Sequence, residues 1–513
     1  MQAASGSFYA GTVLMKITNE LYSGSLALFN DFYQLSMAYG YWKSGIAEKE
    51  AVFNLFFRKN PFNGGYTINC GLDYVIDYVN SFHFSDDDIE YLATVKDDKG
   101  GQLLSHDFLK YLGKLKLSLD IDAIPEGEAI FPHEPIIRVK GPILQCQLLE
   151  SPLLNIINYQ TLIATKSARI FNAAKGSPVL EFGLRRAHGI DGAMAASRAA
   201  YVGGCSSTSN VLAGKLFGIP VSGTHAHSWV MAFDDELSAF TAYAEAMPEN
   251  CILLVDTYNT IEGIKNAIKV GELLRQKGKR LKGIRIDSGD LAYFSAQGRK
   301  MLDEAGFTET AIVASNDLDE NIISSLRMQD ASIGIWGIGT KLVTAYDQPA
   351  LGAVYKLSAI KNETGHWENK IKLSEQAVKV NNPGIQQVRR FFSKNSDGKK
   401  IPVADMLYEV QQPLPRKLKI IDPMDITRRK IIKPEGLEYE ELLKPVFRQG
   451  ELVYASPDIH QIRQKALESV QKLPDGVKRL VNPHSYPVGL EERLFKLKTD
   501  LILKLRNLSD EDE

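Results

Sequence analysis

Between residues 179 and 339 one phrase keeps recurring: a short β-branched run, then glycine or polar residues, then a stretch with helical spacing. The runs are Val179-Leu-Glu-Phe, Ala200-Tyr-Val-Gly-Gly, Pro220-Val-Ser-Gly-Thr, Ile252-Leu-Leu-Val-Asp, Gly283-Ile-Arg-Ile-Asp, Ala311-Ile-Val-Ala-Ser and Ile333-Gly-Ile-Trp-Gly-Ile-Gly. Parallel neighbours cannot be joined by a tight turn, so alternating strand and helix phrases point to crossover units. The expected fold class is therefore α/β, with a parallel α/β barrel, incomplete, favoured over an open sheet. Periodicity alone leaves a doubly wound open sheet as the alternative. In both architectures the chemistry sits in loops after the carboxyl ends of the strands.

The flanks have a different texture. A loose extension over residues 1–20 precedes an N-terminal α+β domain at 21–152, with helical spacing in 31–42 and 73–82, a strand at 51–58 and several strands in 130–149. A long helix over 153–174 opens the barrel domain at 153–350. The C-terminal region, 351–513, begins with strands returning to the N-terminal domain and ends helical with an acidic tail from Ser509. The basic stretch from Arg416 to Lys433 is assigned no role, because such runs are commonly solvated faces.

Charge is balanced, with a net of −2, so nothing argues for a nucleic-acid partner. The four cysteines, Cys70, Cys146, Cys205 and Cys251, are scattered without a CxxC pair and are expected to be reduced. No apolar run approaches the roughly 20 residues that cross a bilayer. The apolar patch from Phe8 to Met15 lacks the preceding positive charge of a secretory signal. These features make the cytoplasm the expected location and a membrane partner unexpected.

The polar residues after the strand phrases share one chemical theme. They are Arg185 and Arg186, Ser206 to Asn210, Thr224, His225 and His227, Asp256, Arg285, Asp287, Ser288 and Asp290, Ser315 to Asp317, and Gly337, Gly339 and Thr340. Cations and hydroxyl donors with a few carboxylates suit a ligand carrying several anionic groups, with or without a divalent ion. Gly337-Ile-Gly-Thr340 is a candidate phosphate cradle; the competing reading is a tight turn that needs glycine. Asp287 and Asp290 are candidate metal ligands, the competing role being a helix N-cap. His225 and His227 are two apart, so on an extended segment both face one side. They are then either a metal pair lacking a third ligand or a nucleophile beside a phosphorylated substrate. Neither a Walker loop nor a Rossmann glycine fingerprint occurs.

Taken in order, these segments resemble the nicotinate phosphoribosyltransferase family. The matching stretches are Asn30-Asp-Phe-Tyr-Gln-Leu-Ser-Met-Ala-Tyr-Gly-Tyr-Trp42, Glu181-Phe-Gly-Leu-Arg-Arg186, Ser207-Thr-Ser-Asn-Val-Leu-Ala-Gly214 and Ser222-Gly-Thr-His-Ala-His-Ser228, followed by Arg285-Ile-Asp-Ser-Gly-Asp-Leu291, Ser315-Asn-Asp317 and Gly337-Ile-Gly-Thr340. Asn30 and Phe32 depart from the commoner Thr-Asp-Leu-Tyr, while Asp31 and Tyr33 remain.

The resemblance implies an incomplete α/β barrel beside an α+β domain, in a homodimer with shared active sites. It implies transfer of phosphoribosyl from 5-phosphoribosyl 1-pyrophosphate to nicotinate, with ATP as co-substrate and Mg²⁺ or Mn²⁺ as cofactor, in NAD salvage. His227 would be the phosphohistidine, with Arg285 and Asp287 also catalytic; His225 stands where the family often has an apolar residue. Thr224 and Arg285 would hold nicotinate, with Tyr33 of the second chain on its ring. Arg185, Arg285, Ser315, Asn316, Gly339 and Thr340 would bind the phosphoribosyl pyrophosphate, and Asp287 and Asp290 the metal. The rivals are a nicotinamide or quinolinate phosphoribosyltransferase, a metal-dependent barrel hydrolase using the histidine pair, and a silent ligand sensor.

Overall fold

The computed structural model describes residues 25–433 and 436–508. The N-terminal extension and the acidic tail from Ser509 lie outside them. The chain is a mixed α/β protein, with four sheets among the described residues. Its centre is an all-parallel sheet of six short strands: β1 (Val179–Glu181), β2 (Ser207–Thr208), β3 (Ile252–Leu254), β4 (Gly283–Ile286), β5 (Ala311–Ala314) and β6 (Ile335–Ile338). They lie in the order β2-β1-β6-β5-β4-β3. At the β2 edge a single parallel bridge joins Thr208 to Val221. Val179, Leu253, Ile284, Ile312 and Trp336 are almost wholly buried, as expected of strands covered on both faces.

Two of the seven strand phrases differ from expectation. Ala200-Tyr-Val belongs to the end of a helix, Gly189–Val202, whose buried Ala195, Ala196, Ala199 and Ala200 pack on the helix Glu150–Ala174. Small side chains make that contact possible. A Cβ built on the capping Gly203 would stand 2.2 Å from the carbonyl oxygen of Ala164. The strand lies later, at Ser207–Thr208. Pro220-Val-Ser contributes only the Val221 bridge and the flanking bonds from Thr208 N–H to Pro220 O and from Ser222 N–H to Thr208 O, both 3.0 Å.

Around this centre, a seven-stranded antiparallel sheet interleaves Glu50–Phe56, Asp120–Ala123 and Ile137–Pro142 with Val354–Lys361, Trp367–Asn369, Lys444–Arg448 and Glu451–Leu452. A six-stranded sheet occupies the later region, running from Gln386–Lys394 to Val488–Glu491. The expected strands in 130–149 end at Pro142, and Ile143–Leu148 is a helix. All six of its residues are buried, so no period was there to be read.

Buried ion pairs stitch these layers together. Arg198 donates to both oxygens of Glu126, at 2.8 and 2.7 Å, and to Asp73. Lys166 and Arg169 of the long helix both meet Glu320 at 2.8 Å. No helix among the described residues is long and apolar enough to cross a membrane.

Candidate active site

The carboxyl ends of β1 to β6 deliver the rim. Glu181, the last residue of β1, is fully buried and accepts from the Gly183 N–H, from Ser197 Oγ at 3.0 Å and from Thr208 Oγ1 at 2.5 Å. Those bonds fix where the chain leaves both β1 and β2. The short 3₁₀ turn Leu184–Arg186 then presents Arg185 and Arg186 to solvent. Among the described residues no acidic side chain forms an ion pair with Arg185.

Arg285 of β4 donates through Nη1 to Thr224 Oγ1, uniting the two residues expected at the nicotinate carboxylate. Its Nε is buried without a protein partner. Burial draws the Arg285 pKa down from its ordinary value; Asp287 and Asp256 oppose this, and nearby Arg185 adds to it. An arginine remains charged under such a shift. A half-buried cation with spare directed donors, beside a second cation, is a site for an anion.

The carboxylates nearby are themselves positioned. Asp256, following β3, accepts at Oδ2 from the Asp287 N–H at 2.8 Å and from Ser288 Oγ at 2.7 Å, while its buried Oδ1 has no partner. Asp287 accepts at Oδ1 from Ser315 Oγ. His227 begins the short helix His227–Met231, with Nδ1 3.1 Å from Thr257 Oγ1 and Nε2 3.9 Å from Asp287 Oδ2. The longer distance exceeds a hydrogen bond. Thr224–Arg285 and Asp287–Ser315 are thus two bonded pairs at the end of β4, with His227 3.9 Å from the second.

The histidines do not form a pair. His225 is buried, accepts the Leu254 N–H at Nε2 at 3.1 Å, and faces Ala226 O with Nδ1 at 3.3 Å. Its pKa falls to about 4, chiefly through burial, with Arg285 and His227 adding to the effect. Ala226 between them is extended, but each ring has its own partner, His225 on the Leu254 N–H and His227 beside Thr257 Oγ1. Among the described residues no three His, Cys, Asp or Glu side chains gather as a metal cage. Asp290 caps the helix Leu291–Glu304, accepting the Tyr293 N–H at 3.0 Å.

On the remaining loops, Asn316 is exposed with a φ of +120°, a sparsely populated backbone conformation of the kind found at ligand loops. Gly337 and Gly339 pack on Phe182, where a Cβ would come within 2.9 Å of the ring and 3.2 Å of the carbonyl oxygen, respectively. Thr340 follows directly. Tyr33 lies elsewhere, on the helix Phe32–Lys43, exposed together with Leu26, Phe29 and Phe32. Asp31 does not cap that helix; its carboxylate accepts from Ser151 Oγ at 2.6 Å. Two residues escaped the sequence reading. Glu181 was marked only by a carboxylate inside an apolar strand phrase, and Thr257 by nothing beyond following Asp256.

Three family models match in succession: the nicotinate phosphoribosyltransferase N-terminal domain at 28–158, the family's central model at 178–380 and its C-terminal domain at 385–498. The chain belongs to the nicotinate phosphoribosyltransferase family. It is 45% identical over 494 residues to the Bacillus subtilis nicotinate phosphoribosyltransferase, covering 95% of this chain and 97% of that one. The human nicotinate phosphoribosyltransferase is 34% identical over 533 residues, covering 92% of this chain and 96% of that protein. The crystal structure of human nicotinic acid phosphoribosyltransferase superposes with a TM-score of 0.79 at 32% identity, across 92% of this chain and 99% of that one. Members of this nicotinate phosphoribosyltransferase family are enzymes, and this chain is one.

Proposed function

We propose that the cluster on the rim of the parallel sheet joins nicotinate to 5-phosphoribosyl 1-pyrophosphate, coupled to ATP hydrolysis, as a step of NAD salvage. The carrying observation is the Arg285–Thr224 contact with Arg285 Nε still free. A planar carboxylate docks on such a fork, and an uncharged amide would leave it poorly paired. Arg185, Asn316, Gly339 and Thr340 supply the cations, hydroxyl and backbone donors for the phosphates, while Ser315 holds Asp287.

In the reaction the pyridine nitrogen's lone pair forms the new bond at the anomeric carbon, and the electron pair of the breaking C–O bond leaves with pyrophosphate. Little proton transfer is needed, so the protein's work is orientation and stabilisation of charge. A magnesium ion would add further charge to the departing pyrophosphate. The donors fit it: the unpartnered Asp256 Oδ1 and the Asp287 carboxylate offer one or two oxygens, as ions shared with substrate phosphates require. Asp290, occupied as a helix cap, is the less suited of the two carboxylates first expected there. His227, half-buried and oriented by Thr257, is the phosphoryl acceptor for ATP.

The same reading treats the Val221 bridge as a seventh stave of an incomplete barrel, with domains at 21–152, 153–350 and 351–513. It takes the exposed aromatics around Tyr33 as the surface a second copy covers, bringing Tyr33 onto the pyridine ring. Four free, buried cysteines accord with a cytoplasmic home.

The test is mononucleotide formation from nicotinate, nicotinamide and quinolinate, each with and without ATP. Turnover with nicotinate, enhanced by ATP, is expected; preference for either rival base would overturn the assignment.

A further inference from the structure

His225 is more than a neighbour of the site. Its ring packs edge-on against Tyr243, with centroids 4.7 Å apart, and tilts against Phe240 at 6.0 Å, both on the helix Glu236–Ala246. Because Nε2 accepts the Leu254 N–H, the lone pair there must be free and the proton sits on Nδ1, facing the Ala226 carbonyl. The imidazole is neutral in a single tautomer.

Leu254 is the end of β3, an outer strand of the parallel sheet, and lies in register with Arg285 on β4. Arg285 donates to Thr224, and Thr224 precedes His225 in the chain. The four residues close a ring: Thr224 to His225 by a peptide bond, His225 to Leu254 by its side chain, Leu254 to Arg285 by the ladder, Arg285 back to Thr224. The segment 220–222 just upstream is bonded to Thr208, at the opposite edge of the same sheet.

We infer that His225 is a positioning residue for the pyridine substrate, setting the separation of Thr224 from Arg285 by tying the site loop to the edge strand. This rests on the reading that Thr224 and Arg285 hold the nicotinate carboxylate. The depressed pKa of His225 agrees with the neutral form the geometry requires.

Steady-state kinetics of the full chain tests it, with His225→Leu, His225→Gln and His225→Asn beside wild type. The leucine fills the space without an acceptor, and should raise the Michaelis constant for nicotinate by about ten-fold while that for phosphoribosyl pyrophosphate moves by no more than about three-fold. Glutamine, whose Oε1 reaches about as far as Nε2, should restore the nicotinate value to within about three-fold of wild type. An unchanged nicotinate constant in His225→Leu, an equal rise for both substrates, or no difference between leucine and glutamine overturns the inference. Should His225→Leu fail to fold by circular dichroism, His225→Asn takes its place, since its shorter carbonyl falls short of Leu254. Thr224→Ala is the separate control: no effect on the nicotinate constant there refutes the reading of the carboxylate site, whatever His225 does.

Discussion

On the proposed reading Arg285 faces two anions, the carboxylate of one substrate and the phosphates of the other. Its geometry suits that double duty: Nη1 is bound to Thr224, Nε is buried and free, and Asp256 and Asp287 lie close enough to oppose the effect of its burial. Lysine would keep the charge and lose the planar fork. Arg285→Lys is therefore expected to lower kcat/KM for nicotinate by about 100-fold, or roughly 3 kcal/mol, measured by initial rates at saturating phosphoribosyl pyrophosphate. His227 has a different profile, because it touches Thr257 and stands off from Asp287 without any bond to the Thr224–Arg285 pair. His227→Ala should abolish ATP-dependent stimulation and ATP hydrolysis while an ATP-independent rate survives; undiminished coupling in that variant would remove His227 from the role. That Thr224, Arg285 and Asp287 stand at the ends of neighbouring strand phrases was legible beforehand, since Thr224 and Asp287 close theirs and Arg285 lies inside one. The role of His225 was not, because burial by Tyr243 and Phe240 is set by a helix that the local sequence does not reveal.

At the level of elements, the strands that were legible are those whose β-branched runs stand alone: β1, β3, β4, β5 and β6. The misreadings came where local pattern and packing diverge. Ala200-Tyr-Val-Gly-Gly has a strand-like run and a turn-like ending, yet the alanines before it form a small-residue face that lets two helices approach closely. Gly203 shows how close. Its φ of −70° would suit any residue, so a substitution there fails on space rather than backbone torsion. An added methyl would stand 2.2 Å from Ala164 O and 2.5 Å from the Ser167 Cβ. Gly203→Ala is accordingly expected to cost about 1–3 kcal/mol by overpacking, seen as a lower midpoint of denaturant unfolding. The pairing of strand 50–56 with strand 354–361 on one side and strand 137–142 on the other was only partly readable, because register between segments far apart in the chain is decided by partners, not by period.

At the scale of the whole molecule, two histidines shielded from solvent give stability a pH dependence that can be worked out in sign. Both His225 and His133 have pKa values lowered to about 4 from 6.5, by burial first in each case. Arg285 and His227 add to the effect at His225, and Lys498 and Arg58 at His133. In the unfolded chain both bind a proton as the pH falls through about 6.5; in the folded chain neither does until about 4. Between those values the unfolded state holds more protons, so stability declines on acidification by up to about 1.4 kcal/mol per pH unit for each histidine. The contribution is fully present above 6.5 and no longer changes below 4. Buried Glu134 works in the opposite direction: burial, and then Asp405 beside it, raise its carboxyl well above the ordinary value, so its contribution is lost as pH rises. Total curves therefore mix signs, and single replacements separate them. His225→Gln and His133→Gln should each flatten the dependence of unfolding free energy on pH between 4 and 6.5 by about one proton, measured by urea unfolding across that range. A slope unaltered by His225→Gln would mean that the imidazole is charged in the folded protein, in which state Nε2 cannot accept the Leu254 N–H.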